Sequence, residues 1–275
     1  MRIRLVLAAS AALLLPLLAA SAPAGAAGPW APAATAAVHP GVQMFTAGAQ
    51  CTANFVFTEG GAVYIGYAAH CAGTGAATDT DGCLADSLPL GTPVEVTGAT
   101  QPGTLVYSSW LAMQAIGEQD ADTCAYNDLG LVQLAAADVA LVNPSIPVWG
   151  GPTGVNTAGN PAGARVYSYG NSELRLGLTL LSPKTGVSLG TTGGGWSHPV
   201  YTVTPGIPGD SGSAFLDASG RATGVLSTLG LAPLPLSNNV GDLSREIAYA
   251  QAHGHPGLAL ANGTQPFNPN ALPLG

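Results

Sequence analysis

The chain has 275 residues, 47% of them apolar and only 8% charged, with 38 glycines and 22 prolines. A chain this apolar can bury a core and is not a disordered polymer, and so many turn formers favour short strands over a helical bundle. Fifteen Asp/Glu stand against seven Lys/Arg, which leaves no basic face for nucleic acid.

The first residues read as a signal peptide over 1–26. Arg2 and Arg4 precede an apolar run over 5–20, and Ala24, Gly25 and Ala26 offer small residues for cleavage. The run is short for a membrane span and no second run follows, so a secreted, extracellular chain free of the membrane is expected. Five Lys/Arg would then remain against fifteen Asp/Glu, a net charge of −10. Residues 27–42 are rich in Ala and Pro and read as a flexible lead-in.

Short runs rich in Val, Phe, Tyr, Leu and Ile follow at 53–57, 62–68, 93–98, 104–108 and 129–134. Each has the length of a strand. The segment 143–163 holds four prolines and five glycines and reads as a crossing between two halves. A second strand series is expected at 165–169, 176–181, 200–204, 214–216 and 223–228. One helix is legible, late in the chain: Asp242 can cap it, Leu243, Ile247 and Ala250 share a face, and Gly254 ends it. Residues 255–275 form a Pro/Asn-rich tail. Two strand series and a terminal helix predict an all-β protein of two barrels or sandwiches, bounded at 43–142 and 164–254.

Four cysteines, at 51, 71, 83 and 124, read as two disulfides in an exported chain, with three possible connectivities. No C-x-x-C pair suggests zinc. Asp79, Asp81 and Asp86 form an acidic loop. Asp-x-Asp-Gly is only a fragment of a calcium loop, so a solvated loop without metal is expected.

The segment 206–214 (Gly-Ile-Pro-Gly-Asp-Ser-Gly-Ser-Ala) sets Ser211 between glycines and behind Asp210. Glycines there allow close approach and free backbone N–H groups. This suits a nucleophile, although a Gly/Ser turn between strands would look the same. A serine nucleophile needs a base and a carboxylate to hold that base in one tautomer. Of five histidines, His70 alone closes an apolar strand (Tyr64 to His70) beside a cysteine. His39 lies in the lead-in, His198 in a Gly/Ser/Pro loop, and His253 and His255 at the helix end. Asp128 opens an apolar strand and should be buried and partnered. Asp120 and Asp122 sit in a polar loop, and Asp138 in an Ala-rich turn.

Three segments together resemble the chymotrypsin-like serine peptidases, in particular their secreted bacterial branch: Ala68-Ala69-His70-Cys71, Asn127-Asp128-Leu129-Gly130-Leu131 and Gly209-Asp210-Ser211-Gly212-Ser213. They occur in the order His, Asp, Ser at spacings of 58 and 83 residues. The resemblance covers about 51–254 in plan. It implies two six-stranded antiparallel β-barrels, the first giving His70 and Asp128 and the second giving Ser211, followed by the C-terminal α-helix. It further implies a Ser211 acyl-enzyme with His70 as base and Asp128 as its orienter, and an oxyanion hole of Gly209 and Ser211 N–H groups. Cys51–Cys71 would match the family bridge beside the histidine, leaving Cys83–Cys124. No cofactor is implied, and the expected partner is a protein or peptide substrate met by a monomer.

The implied specificity pocket takes in Pro205, Gly206, Ser227, Thr228 and Leu229. No acid stands at the position six before the serine, so Lys/Arg preference is disfavoured and small or medium apolar side chains are expected. Asp210 should be buried and needs a cation, with Arg165 and Arg175 as candidates. Two other readings are weaker. A secreted esterase would need a final glycine where Ser213 stands and an alternation of strands and helices. A non-catalytic binding protein on the same fold would be expected to lack a triad member, and all three are present.

Overall fold

The computed structural model describes residues 30–76, 79–230 and 235–271. The expected signal peptide lies outside the described residues. Residues 30–42 are no flexible lead-in. Val38 is fully buried, Val42 nearly so, and the Ala31 and Val38 N–H groups donate to Val142 and Leu141 carbonyls. Three apolar side chains, Trp30, Val38 and Val42, outweigh the Ala/Pro composition and dock the segment on the core.

The first half contains β1 (Gln43–Thr46), β2 (Ala49–Thr52), β3 (Val56–Glu59), β4 (Ala62–Ala68), β5 (Pro93–Val96), β6 (Gly103–Ser108) and β7 (Leu129–Gln133). Two helices, α1 (Ser109–Ile116) and α2 (Ala121–Tyr126), interrupt the strands before β7. They are short, so no full amphipathic period marks them. Ser108 and Asp120 cap them, and Trp110 and Met113 of α1 pack with Ala69 and Ala85.

The second half contains β8 (Arg165–Tyr169), β9 (Pro183–Ser188), β10 (Ser197–Val203), β11 (Ala214–Asp217), β12 (Ala222–Gly230) and β13 (Ser237–Asp242). The helix α3 (Leu243–Ala252) and a last short strand, β14 (Ala259–Leu260), follow. Asp242 caps α3 by accepting from the Arg245 N–H at 2.8 Å.

The second half is a closed antiparallel barrel, ordered β10-β13-β12-β11-β8-β9 and back to β10. Val166, Val200, Phe215, Leu226 and Val240, one from each of five strands, form its core. The sixth strand, β9, buries Lys184 and Ser188 instead. The first half is a second sheet, ordered β14-β3-β4-β7-β6-β5-β1-β2. Its two ends meet through the chain itself. Residues 53–55 join β2 to β3, and Asn54 and Phe55 bond across to Gly66 of β4. β2 and β3 are therefore halves of one bent strand, which with β1, β4, β5, β6 and β7 makes six. β14 is an addition from the tail.

The segment 176–181 is not a strand. Single 3₁₀ turns at Glu173–Arg175 and Thr179–Leu181 replace it, and Leu176, Leu178 and Leu180 are exposed. Ser172 caps the first turn, and Arg175 turns inward to an acid described below, so the alternating leucines are left outside.

The crossing and the tail bind each other. Gly151 N–H donates to Gln265 O, Asn268 N–H to Trp149 O, and Phe267 packs edge-on to Tyr167 at 5.2 Å. Trp149 is fully buried and donates its indole N–H to Ser168 O at 2.7 Å. Trp149→Ala should therefore lower unfolding free energy by about 3–5 kcal/mol in urea titration. A loss below about 1 kcal/mol would show that the crossing is not anchored there.

Candidate active site

His70 sits on the 3₁₀ turn Ala69–Ala72 that ends β4. The neighbouring Cys71 is bonded to Cys51 of β2, which fixes where that turn lies; Cys83 and Cys124 form the second cystine. Asp128 immediately precedes β7 and is 3% exposed. Its carboxylate takes three hydrogen bonds. The His70 backbone N–H donates to Oδ1 at 2.8 Å, the His70 Nδ1–H to Oδ2 at 2.6 Å, and the Ser227 hydroxyl, from β12, to Oδ2 at 2.6 Å.

An ionised carboxylate only accepts, so this contact puts the neutral imidazole's proton on Nδ1 and leaves Nε2 with a free lone pair. Burial disfavours the His70 imidazolium, but the charge of Asp128 and its hydrogen bond outweigh that, and the His70 pKa is raised above its ordinary value.

Behind Asp128 lies a residue that the sequence did not single out. Glu246 of α3 is fully buried, and its Oε1 accepts the Asp128 backbone N–H at 3.1 Å. Among the described residues its Oε2 has no partner. Burial, together with the charges of Asp128 and Asp242, raises its pKa well above the ordinary value, because each disfavours the carboxylate relative to the neutral acid.

The serine loop follows from its residues. Ile207-Pro208-Gly209-Asp210 forms a turn in which the Asp210 N–H donates to Ile207 O at 2.8 Å and Gly209 has φ +91°. Proline second and a positive-φ glycine third is the pattern of a type II turn. Gly212 has no room for a side chain: a Cβ there would lie 2.5 Å from Thr52 O and 2.9 Å from Ala68 N. The loop thus packs directly on the backbone of the first half, and Thr52 N–H donates to Ser211 O at 2.8 Å.

Asp210 has no exposed surface. Arg175 Nη2 lies 2.5 Å and Lys184 Nζ 3.0 Å from its Oδ2. Of the two arginine candidates, Arg175 is the partner, while Arg165 is exposed on β8. Lys184, the only lysine of the chain, was not foreseen, because nothing in Pro183–Ser188 marks a buried strand. Burial pulls the Lys184 pKa down; Asp210 draws it back and Arg175 depresses it further.

His70, Asp128 and Ser211 all line one cleft of about 590 Å³. Among the described residues the Ser211 hydroxyl makes no hydrogen bond. Gly206, Ile207, Pro208 and Gly209 line the same cleft, as do Ser227, Thr228 and Leu229. Asn238, also unforeseen, lines the cleft and is bonded to the backbone of two other lining residues. Its Oδ1 accepts from Gly206 N–H at 2.8 Å, and its Nδ2 donates to Gly206 O and Thr228 O. Among the described residues, the stretches 206–209 and 226–229 and Asn238 bring no charged side chain to the cleft, whose acids are Asp79, Asp86 and Asp128.

Pro205 is not among the lining residues; its carbonyl accepts from Arg175 instead. Trp110 lines the far side, 6.4 Å from the His70 ring. The other histidines have structural partners. His198 lies within β10, bonded to Asp242 and Thr191, not in a loop, and His255 pairs with Glu59. The carboxylates of Asp79 and Asp81 accept N–H groups of their own loop. Asp138 is buried and holds Thr100 and Gln101.

Solved structures show the same fold. The chain is similar to Thermobifida fusca protease A, with 18% identity, a TM-score of 0.53, and coverage of 82% of this chain and 99% of that one. It is also similar to a Glu endopeptidase, with 15% identity, a TM-score of 0.51, and coverage of 78% and 91%. No protein-family model matches the chain, and no curated protein matches it in sequence. The fold is that of the bacterial chymotrypsin-like serine proteases.

The Glu246 carboxyl has a measurable consequence. Its raised pKa in the folded chain contributes stability that is complete below the unfolded value and is lost as pH rises toward the folded value. Glu246→Gln, which cannot ionise, should gain stability relative to wild type as pH rises above about 4.5. Parallel thermal-stability profiles for the two proteins would show that Glu246 ionises normally.

Proposed function

We propose that this chain is a secreted serine endopeptidase that works through a Ser211 acyl-enzyme. The observation that carries the reading is the buried Asp128 carboxylate holding the His70 ring, with Nε2 free, at the cleft that Ser211 also lines. Ser211 Oγ attacks the scissile carbonyl while His70 Nε2 takes its proton. Asp128 stabilises the imidazolium so formed. The Gly209 and Ser211 N–H groups receive the oxyanion, each worth roughly 2.7–4 kcal/mol in comparable sites. His70 then returns the proton to the leaving amine. Water, deprotonated by the same nitrogen, releases the acid and restores the serine.

The uncharged pocket of Gly206, Ser227, Thr228, Leu229 and Asn238 supports small or medium apolar side chains before the cleaved bond. Neither an arginine nor a glutamate side chain would find a counter-charge there. Secretion, with removal of 1–26, fits the two cystines.

Peptide anilides that vary only at the residue before the scissile bond test this. Wild type should cleave Ala, Leu or Phe substrates faster than Arg or Glu ones. Ser211→Ala and His70→Ala should lower kcat/KM by at least about 10³-fold. Activity surviving in Ser211→Ala would exclude the mechanism, and an Arg preference would exclude the pocket assignment. Because Asp128 raises the His70 pKa, the acid limb of kcat/KM should have its midpoint above about 6.5. A midpoint below that would show that the dyad is not the titrating group.

A further inference from the structure

The Pro208–Gly209 peptide is the part of the site that its own sequence leaves undetermined. Proline followed by glycine suits a type II turn and also a type I turn, and the two differ by a flip of the central peptide. In a trans peptide the N–H points opposite to the C=O. Turning Pro208 O away from the cleft therefore turns Gly209 N–H toward it, and the flipped peptide would present a carbonyl oxygen where an oxyanion must bind. Something outside the turn has to choose.

We infer that Ser172 makes this choice and is a positioning residue for the oxyanion hole, an inference that rests on the peptidase reading above. Ser172 is nearly fully buried, and its hydroxyl donates to Pro208 O at 2.6 Å. Ser172 Oγ in turn accepts the Leu174 N–H at 3.1 Å, and the Ser172 N–H donates to Asp210 Oδ1 at 3.1 Å. One residue thus holds the middle of the turn, its last residue, and the 3₁₀ turn that carries Arg175.

Its own place is fixed from the first half of the chain. Asn171 N–H donates to Thr52 Oγ1, and the Asn171 carbonyl accepts from Gln43 and Gln50. Thr52 Oγ1 and Gln50 Nε2 also donate to Gly209 O, at 2.7 and 3.1 Å. Both carbonyls that flank the Gly209 N–H are therefore held from outside the turn, Pro208 O by Ser172 and Gly209 O by the β2 side chains that also bond Asn171. In a flipped turn the Ser172 hydroxyl would lose its acceptor and Pro208 O its donor.

Ser172→Ala tests this. Its kcat should fall at least about tenfold, short of the roughly 10²–10³-fold cost of losing an oxyanion donor outright, with KM changed less than about threefold. Affinity for a peptide boronate should fall in step with kcat. Ser172→Thr, which keeps the hydroxyl, should recover most of the loss. A crystal structure of Ser172→Ala should show the Pro208 carbonyl turned toward the cleft and a negative φ at Gly209 in part of the molecules.

Wild-type kcat in a folded Ser172→Ala protein, or an unchanged loop in its structure, would overturn the inference. If Ser172→Ala does not fold, Ser172→Cys, near in size and a weak donor, must show the same loss confined to kcat. Wild-type kinetics in that variant would likewise overturn it. An inactive wild type would refute the peptidase reading itself, a result distinct from any of these.

Discussion

A buried carboxylate with three donors is the constraint on which the rest of the site depends. Asp128 is almost without solvent, and an ionised group there is tolerable only if its oxygens are hydrogen-bonded. The donors come from separate places: the backbone and ring of His70 at the end of β4, and the hydroxyl of Ser227 on β12 of the other half. Satisfying one charge therefore fixes the histidine's tautomer and also ties the second barrel to the first at the cleft. Glu246 completes the arrangement from α3 by taking the Asp128 N–H. Burial and the charge of Asp128 both favour its protonated form, which adds a partner without a second negative charge beside the first.

The serine loop is governed by a second buried charge. Two of the chain's seven Lys/Arg side chains, Arg175 and Lys184, converge on Asp210, which gives this one buried cluster two cations for a single carboxylate. Such a cluster is costly to bury, and removing one member leaves the others unpaired. It fastens the end of the 207–210 turn, while Ser172 and Thr52 fasten its carbonyls. The two clusters divide the site between them: one orients His70, the other shapes the serine loop.

What the sequence disclosed were features with local signatures. Strands 62–68 and 165–169 have the expected bounds because most of their residues are buried and Val63, Tyr64, Ile65, Tyr67, Val166, Tyr167 and Tyr169 are β-branched or aromatic. Asp242 before an amphipathic run marked α3. His70 and Asp128 stand in short motif segments, and they do meet in space. The unforeseen elements lack such marks. β9 and β13 carry Lys184 and Asn238 where apolar residues would be sought, since closure of a barrel around polar clusters leaves no alternation to read. The leucines of 176–181 alternate as in a strand, yet the contact of Arg175 with Asp210, 35 residues away, decides their conformation. Ser172, Glu246 and Asn238 act through contacts at long sequence separation, and single serines, glutamates and asparagines announce nothing locally.

His70 and Asp128 should make Ser211, among all the serines of the chain, a nucleophile. The most direct measurement is reaction of the folded protein with a fluorophosphonate, followed by mass mapping of the adduct. The account expects one adduct, on the peptide containing Ser211, formed rapidly by wild type and abolished in His70→Ala. An adduct on another serine, or labelling of Ser211 that persists undiminished without His70, would contradict it.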